Sequence, residues 1–309
     1  MRRSCLNYVY ELARQDDRVV FVGSDLGSGV LEDMKIEFPE RWFMEGISEQ
    51  HIIGMAAGLA MEGFLPYVNS IATFLTRRCY EQVAMDICLH NLPVRIIANG
   101  GGLVYAPLGP THLATEDISI LRCLPNMTIV APCDAEEMKR IMPQTLSWPY
   151  PLYIRLAAGG DRVVSSPQSE CRIGKSVLMR EGSDILLVTT GVMTQRACEV
   201  ADRLEVDNIS CAVLHNHTVK PLDQKALIEY GNKVSLIVTI EENSLAGGLG
   251  SAVLELYSDN ETSNPIPRIV RFGIPDKFAH EYGSQDSLLK ALGLDSASLV
   301  TKVREKFLG

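Results

Sequence analysis

Asn91-Leu92-Pro93-Val94-Arg95-Ile96-Ile97-Ala98-Asn99-Gly100-Gly101-Gly102 decides the fold class. The Asn-Leu-Pro step stops a helix, because proline lacks an N–H and pushes its predecessor out of the helical region. The apolar run 94–98 reads as a strand, and the glycines turn the chain at its end.

The same alternation recurs outward from this stretch. Upstream, Val19-Val20-Phe21-Val22 is a strand, residues 48–62 form an Ala/Gly/Met-rich helix, and residues 74–90 form the helix that Asn91-Leu92-Pro93 ends. Downstream, 127–131 is a strand, Asp134 caps a helix reaching about Leu146, and 152–155 is a strand. Residues 158–172 break the pattern, and Gly159-Gly160-Asp161 with Ser165-Ser166-Pro167 mark a boundary near residue 165. A second series follows, with strands at 185–189, 209–214, 234–240 and 266–272 and helices at 194–204, 223–230, 248–257 and 297–307. Strands alternating with helices imply βαβ units and mainly parallel sheets. A length of 309 residues fits two such domains.

Composition narrows the function. Apolar residues make up 46% and charged residues 22%, which argues for a globular chain and against disorder. Net charge is -9, and no basic stripe is present, so duplex nucleic acid is not an expected partner. Eight scattered cysteines without a Cys-x-x-Cys pair read as structural thiols of a reducing, cytoplasmic compartment. Met1-Arg2-Arg3-Ser4-Cys5 has no apolar segment behind it, and no apolar run approaches the ~20 residues that span a bilayer. No secretion and no membrane are the expectations.

Familiar phosphate loops are missing. Gly27-Ser28-Gly29 follows a strand, but Glu32 stands where the dinucleotide fingerprint needs a third glycine. Neither a P-loop nor a Gly-x-Ser-x-Gly elbow occurs. His215-x-His217 could chelate a metal, but the sequence places no third ligand, so no metal site is assigned to this chain.

Three other segments carry chemistry. Gly46-Ile47-Ser48-Glu49-Gln50-His51 puts a glutamate at the start of an apolar helix, where the helix dipole alone would favour one. Thr73-Phe74-Leu75-Thr76-Arg77-Arg78-Cys79-Tyr80 reads equally as an amphipathic helix with Phe74 in the core. Gly109-Pro110-Thr111-His112-Leu113-Ala114-Thr115-Glu116-Asp117 holds a histidine in a turn before a helix, as a cap or as a site residue.

All three together, in this order, resemble the thiamine diphosphate (thiamine pyrophosphate) enzymes of the transketolase family. The resemblance extends through Leu121-Arg122-Cys123-Leu124-Pro125-Asn126-Met127, Lys220-Pro221-Leu222-Asp223, Glu241-Glu242-Asn243, Gly247-Gly248-Leu249-Gly250-Ser251 and Phe272-Gly273-Ile274-Pro275-Asp276. It implies an α/β chain of two doubly wound domains: a pyrimidine-binding domain over 1–165 and a transketolase C-terminal domain over 170–309. The Gly-Asp-Gly…Asn signature of the family's diphosphate domain does not occur in these residues. The oxygen ligands of a hard Mg²⁺ ion are then expected from a separate partner subunit. A heterotetramer of two such subunits with two of this chain follows, with self-association of this chain as part of it.

The resemblance also assigns roles. Glu49 takes the place of the cofactor-activating glutamate, whose carboxyl hydrogen-bonds N1′ of the aminopyrimidine. Phe74 stacks on that ring, with Arg77 and Tyr80 on the same helix face. Asp25, Leu26 and Ile47 complete the cofactor-facing set. His112 sits beside the reacting carbonyl or hydroxyl. The implied activity is that of a transferase of the transketolase type, moving a two-carbon ketol unit.

The departures concern the substrate. Gly101 stands where deoxyxylulose synthases place an arginine, Gly100 where transketolases place a histidine, Leu108 where they place an aspartate, and Ala158 where a second phosphate arginine is found. Arg155 is nearby but in strand register. Arginine–phosphate forks are strong contacts, and losing the set points to a ketose or 2-oxoacid without a terminal phosphate. Two other functions stay open at this level. One is acyloin formation or 2-oxoacid decarboxylation, as in E1 β-subunits or deoxyxylulose phosphate synthases. The other is a non-catalytic scaffold.

Overall fold

The structure is a computed structural model that describes residues 1–25, 28–157, 161–259 and 266–309. Its helices and strands run α1 (Arg2–Ala13), β1 (Val19–Gly23), α2 (Glu32–Glu37), β2 (Trp42–Met44), α3 (Glu49–Met61), β3 (Leu65–Ile71), α4 (Ala72–Thr76), α5 (Tyr80–Gln82), β4 (Arg95–Asn99), α6 (Asp117–Arg122), β5 (Thr128–Val130), α7 (Ala135–Ile141) and β6 (Leu152–Leu156). The second half runs β7 (Val177–Arg180), β8 (Ile185–Thr189), α8 (Met193–Glu205), β9 (Cys211–His215), β10 (Thr218–Lys220), α9 (Gln224–Gly231), β11 (Leu236–Ser244), α10 (Leu249–Asp259), β12 (Arg268–Ile274), α11 (Gln285–Ala291) and α12 (Ser296–Leu308).

Among the described residues these strands make two sheets, ordered β10-β5-β6-β4-β3-β1-β2 and β12-β11-β8-β9-β7. All pairings are parallel except the edge strands β10 and β7, which are antiparallel. Alternation of side chains explains the layers. In the first sheet, Val19, Phe21, Ile97 and Ile154 face one core with α1 and α7. Val22, Ile96, Ala98 and Tyr153 face another core with α3, α4 and α6. The second sheet is covered likewise, by α8 and α12 on one face and α10 on the other. Both faces of each sheet are therefore buried, as the apolar runs of a parallel sheet require.

The structure corrects the reading of 74–90 as one helix. The chain turns at residues 77–79, makes the short α5, and continues in π-helical turns over Val83–Cys88, where Leu89 N–H donates to Ala84 O. Two side chains compete for the carbonyls that an unbroken helix would use. Thr76 Oγ1 donates to Ala72 O at 2.7 Å, and Cys79 Sγ to Phe74 O at 3.0 Å. Phe74, Arg77 and Tyr80 therefore do not lie along one straight helix face. Asp134 does cap its helix, accepting from Glu137 N, and 3-10 turns over Met142–Leu146 extend it.

The two halves are also more interleaved than a break near 165 suggests. Gly159 and Gly160 lie outside the described residues. Strand β10, from the second half, pairs with β5 and forms the edge of the first sheet. Arg122 Nη1 donates to Gly247 O at 2.6 Å, and Ser119 Oγ to Ala246 O at 2.6 Å, so α6 is tied to the loop before α10. No helix among the described residues is long and apolar enough to cross a membrane.

Candidate functional site

Strands β1 and β3 end side by side, and β2 leads into α3, so their C-terminal ends collect Ser24, Ser70 and Glu49. Open α/β sheets bind ligands at this end of the strands. Glu49 is the first residue of α3 and only 2% exposed. Ser70 Oγ lies 3.4 Å from its Oε1 and 2.9 Å from Ser24 Oγ, which in turn lies 2.9 Å from Asp25 Oδ1. Two hydroxyl protons serve these three contacts, so the chain of groups from Asp25 to Glu49 is polar but unsaturated.

The other carboxylate oxygen faces a cation. Arg78 Nη1 donates to Glu49 Oε2 at 2.5 Å, and the same guanidinium lies over the Phe74 ring, 4.2 Å from its centroid. The His112 ring meets Phe74 edge to face, with centroids 5.3 Å apart and planes at 68°. Gly109 makes the turn that presents His112. Its φ is +78°, a left-handed conformation that favours glycine. Thr111 Oγ1 and His112 Nδ1 are 2.9 Å apart. Glu49, Phe74 and His112, far apart in sequence, thus converge through Arg78 and Phe74.

Other sequence-derived candidates are placed differently. Arg77 turns to α6, donating to Leu113 O at 2.8 Å and to Glu116 Oε2 at 2.7 Å. Tyr80 donates to Ile120 O at 3.0 Å and packs, partly buried, against the core. Asp25 is exposed, Ile47 is 73% exposed, and Leu26 lies outside the described residues. Arg78 and the two serines were not singled out by sequence. Arg78 stands four residues after Phe74, a spacing that meets on a helix as well as Arg77's three does.

The glycines beside the site are packed. A Cβ on Gly100 would lie 2.1 Å from the Tyr105 ring, and one on Gly101 would lie 2.5 Å from the Arg155 side chain. No side chain fits at either position while these neighbours stand. Arg155 is itself committed: Nε lies 2.8 Å from Asp117 Oδ2, and Nη2 donates to Glu242 O at 2.9 Å. Ala158 lies outside the described residues. A groove of about 550 Å³ runs between the halves, lined by Arg77, Glu116, Ser244, Ile274 and Phe278 among others.

A second polar cluster joins the halves elsewhere. His215 Nε2 and Glu137 Oε2 are 2.8 Å apart, and Thr194 Oγ1 meets His215 Nδ1 at 2.7 Å. Donor atoms of Cys133, Glu137 and His215 lie within 4.8 Å of one another. Both His215 nitrogens are hydrogen-bonded, Nε2 with Glu137 and Nδ1 with Thr194, and the His215 and His217 ring centroids lie 6.0 Å apart. Burial first, opposed by the nearby Glu137, pulls His217 down to about 4. The folded value lies below the ordinary 6.5, so the unfolded chain takes up the proton first. Stability present above pH 6.5 is therefore lost as pH falls toward 4. The gap corresponds to about 3 kcal/mol. Urea unfolding midpoints should drop across that window, and His217→Gln should flatten the drop. An unchanged slope in the variant would assign the acid sensitivity elsewhere.

Comparison with known proteins places both halves. Residues 1–159 match the family described as "Transketolase, pyrimidine binding domain", and residues 174–299 match "Transketolase, C-terminal domain". The chain is 34% identical over 306 residues to the "6-deoxy-6-sulfo-D-fructose transketolase subunit SqwH" of Clostridium sp., covering 99% of this chain and 94% of that protein. It is 39% identical over 292 residues to "1-deoxy-D-xylulose-5-phosphate synthase 1" of Geobacter sulfurreducens, covering 94% of this chain and 45% of the relative. The chain thus spans about half the length of the synthases it matches. A solved structure described as "Split gene transketolase, inactive beta4 tetramer" superposes with a TM-score of 0.88 at 34% identity, covering 98% of this chain and 96% of that one.

Proposed function

Because the chain belongs to the transketolase family, we propose that it is one subunit of a thiamine diphosphate-dependent transferase, moving a two-carbon ketol unit to an aldehyde acceptor. In this reading residues 1–165 are the pyrimidine-binding domain and 170–309 the C-terminal domain. Membership of the family implies use of thiamine diphosphate. The observation that carries the reading is the convergence of a buried carboxylate, Glu49, with the Phe74 face and the His112 edge.

These residues fit an aminopyrimidine. The planar Arg78 guanidinium already lies on Phe74 while hydrogen-bonded to Glu49, so this ring face and this carboxyl oxygen together accommodate a flat, nitrogen-bearing group. Glu49 would hold a proton between Oε2 and a ring nitrogen, and its burial keeps water from competing. Phe74 would stack, worth ~0.5–1.5 kcal/mol beyond area burial. Thr111 engages His112 Nδ1, which leaves Nε2 to hold or move a proton at a substrate oxygen. When bound, thiamine diphosphate supplies the carbon nucleophile that carries the two-carbon unit. Arg77 and Glu116 would border the substrate's approach along the groove between the halves.

Partner, metal and location belong to the same proposal. The diphosphate and Mg²⁺ would be held by a second subunit in an α2β2 heterotetramer. Support comes from two proteins that this chain covers almost end to end, one named a subunit and one described as split-gene. The latter is described as an inactive tetramer of its β chain, so self-association without the partner is expected here too. Eight free thiols favour a reducing cytoplasm. Gly100 and Gly101, closed off by Tyr105 and Arg155, favour a substrate without a terminal phosphate.

Titration of thiamine diphosphate and Mg²⁺ into the full chain, with and without a diphosphate-domain partner, tests this. Binding only in the complex, followed by turnover of free ketoses above phosphosugars, is expected. Tight binding by the chain alone ends the shared-site account, and preference for phosphosugars ends the substrate assignment. The identity to deoxyxylulose synthases supports one second reading, acyloin formation from a 2-oxoacid. Carbon dioxide released from pyruvate would select it.

A further inference from the structure

We propose that Arg78 is a built-in occupant of the aminopyrimidine half-site, which the cofactor must displace in order to bind. The proposal rests on the reading of Glu49 and Phe74 given above and adds a regulation of that site. A guanidinium is a planar cation with an N–C–N edge. A 4-aminopyrimidine has the same flat face, and one of its ring nitrogens can share a proton with a carboxyl oxygen, where a guanidinium places an N–H. Arg78 uses both features at once, with Nη1 at 2.5 Å from Glu49 Oε2 and the central carbon 4.2 Å from the Phe74 centroid.

The geometry makes the two occupants exclusive. Glu49 Oε1 faces Ser70, and the Phe74 ring meets His112. The Oε2 side, with the ring face beside it, is the part of the site that Arg78 covers. A second planar group cannot stack there and bond the same oxygen without moving Arg78.

Burial explains why the site holds an occupant. The Glu49 side chain is 1% exposed, and a buried carboxylate without a partner is strongly disfavoured. The Arg78 side chain is 43% exposed, so it reaches in from the solvent side. It satisfies Glu49 while no ligand is present, and its flexible stem can return to water when a ligand arrives. The ion pair then lowers apparent affinity by the fraction of chains in which Arg78 has already left. A subunit on its own is thereby kept from filling half a site.

Calorimetric titration of the full chain with 4-amino-5-hydroxymethyl-2-methylpyrimidine tests this without any turnover. Arg78→Ala should bind the fragment about tenfold more tightly than the wild type, because the competing state is gone. Guanidinium chloride at millimolar concentration should compete in that variant, filling the place the side chain left. Arg78→Lys keeps the charge without the flat face and should fall between. Equal or weaker binding by Arg78→Ala, with binding abolished by Glu49→Gln, would make Arg78 a ligand contact; the proposal then fails while the site assignment stands. Glu49→Gln binding as the wild type does would remove the site assignment and the proposal together. No binding by Arg78→Ala overturns the proposal as well. Circular dichroism of each variant checks that it is folded.

Discussion

Glu49→Gln lowers turnover of the assembled enzyme about 10²–10⁴-fold, the range for removing a positioned acid–base group. Glutamine keeps the shape and the Ser70 contact but cannot hold a proton between its oxygen and a ring nitrogen. Glu49 is buried at the first turn of α3, so water does not reach in to substitute for it. The partner of Arg78 is lost as well, and Arg78, already half in solvent, moves outward at little cost. The measurements are steady-state kcat of the complex and its mass by light scattering. Loss of turnover with the complex intact is the expected pair of results. Turnover that survives leaves the chain as a non-catalytic scaffold and removes the mechanism proposed for it.

Arg155→Met destabilises the chain by about 3–5 kcal/mol, the cost of breaking a buried ion pair from one side. Arg155 reaches Asp117 with Nε at 2.8 Å and Nη2 at 3.2 Å, and both residues are buried. Tyr153 adds a hydroxyl at 2.8 Å to the same carboxylate. Without the guanidinium, the buried Asp117 carboxyl is left with the Tyr153 hydroxyl as its side-chain donor among the described residues, and Glu242 O loses the Arg155 N–H it accepts. The loss also falls on the join between the halves, because Glu242 lies in β11 and Arg155 in β6. Urea unfolding followed by circular dichroism reads the effect. The double variant Arg155→Met with Asp117→Leu should recover much of it, since replacing both partners strands no charge. A single variant within about 1 kcal/mol of wild type would show that the pair does not hold the halves together.

Legibility in the sequence followed the range of the contacts involved. Strands such as 19–22, 94–98 and 185–189 are legible because each is a dense apolar run, buried on both faces. Strand β3 is not legible, since Pro66, Asn69 and Ser70 interrupt its apolar pattern; Ser70 is the residue of this strand that reaches Glu49. Strand β10 gives no local signal at all. It is three residues long, and its pairing is with a strand about ninety positions earlier. Sequence pattern alone extends one helix over 74–90, because hydrophobic period does not register Thr76 and Cys79 competing for backbone carbonyls.

The order of residues suffices for two α/β units of strands and helices and for the residue types a half-site needs: a glutamate at a helix start, an aromatic, and a histidine held by a glycine turn. Those features are written in period, in turn chemistry and in motif order, which are local. Long-range packing sets the rest: Arg78 and not Arg77 meets Glu49, Tyr105 and Arg155 close the space beside Gly100 and Gly101, and β10 completes the first sheet. Each of these depends on which side chains and strands meet across the fold, and local pattern carries the face of an element but not its neighbour.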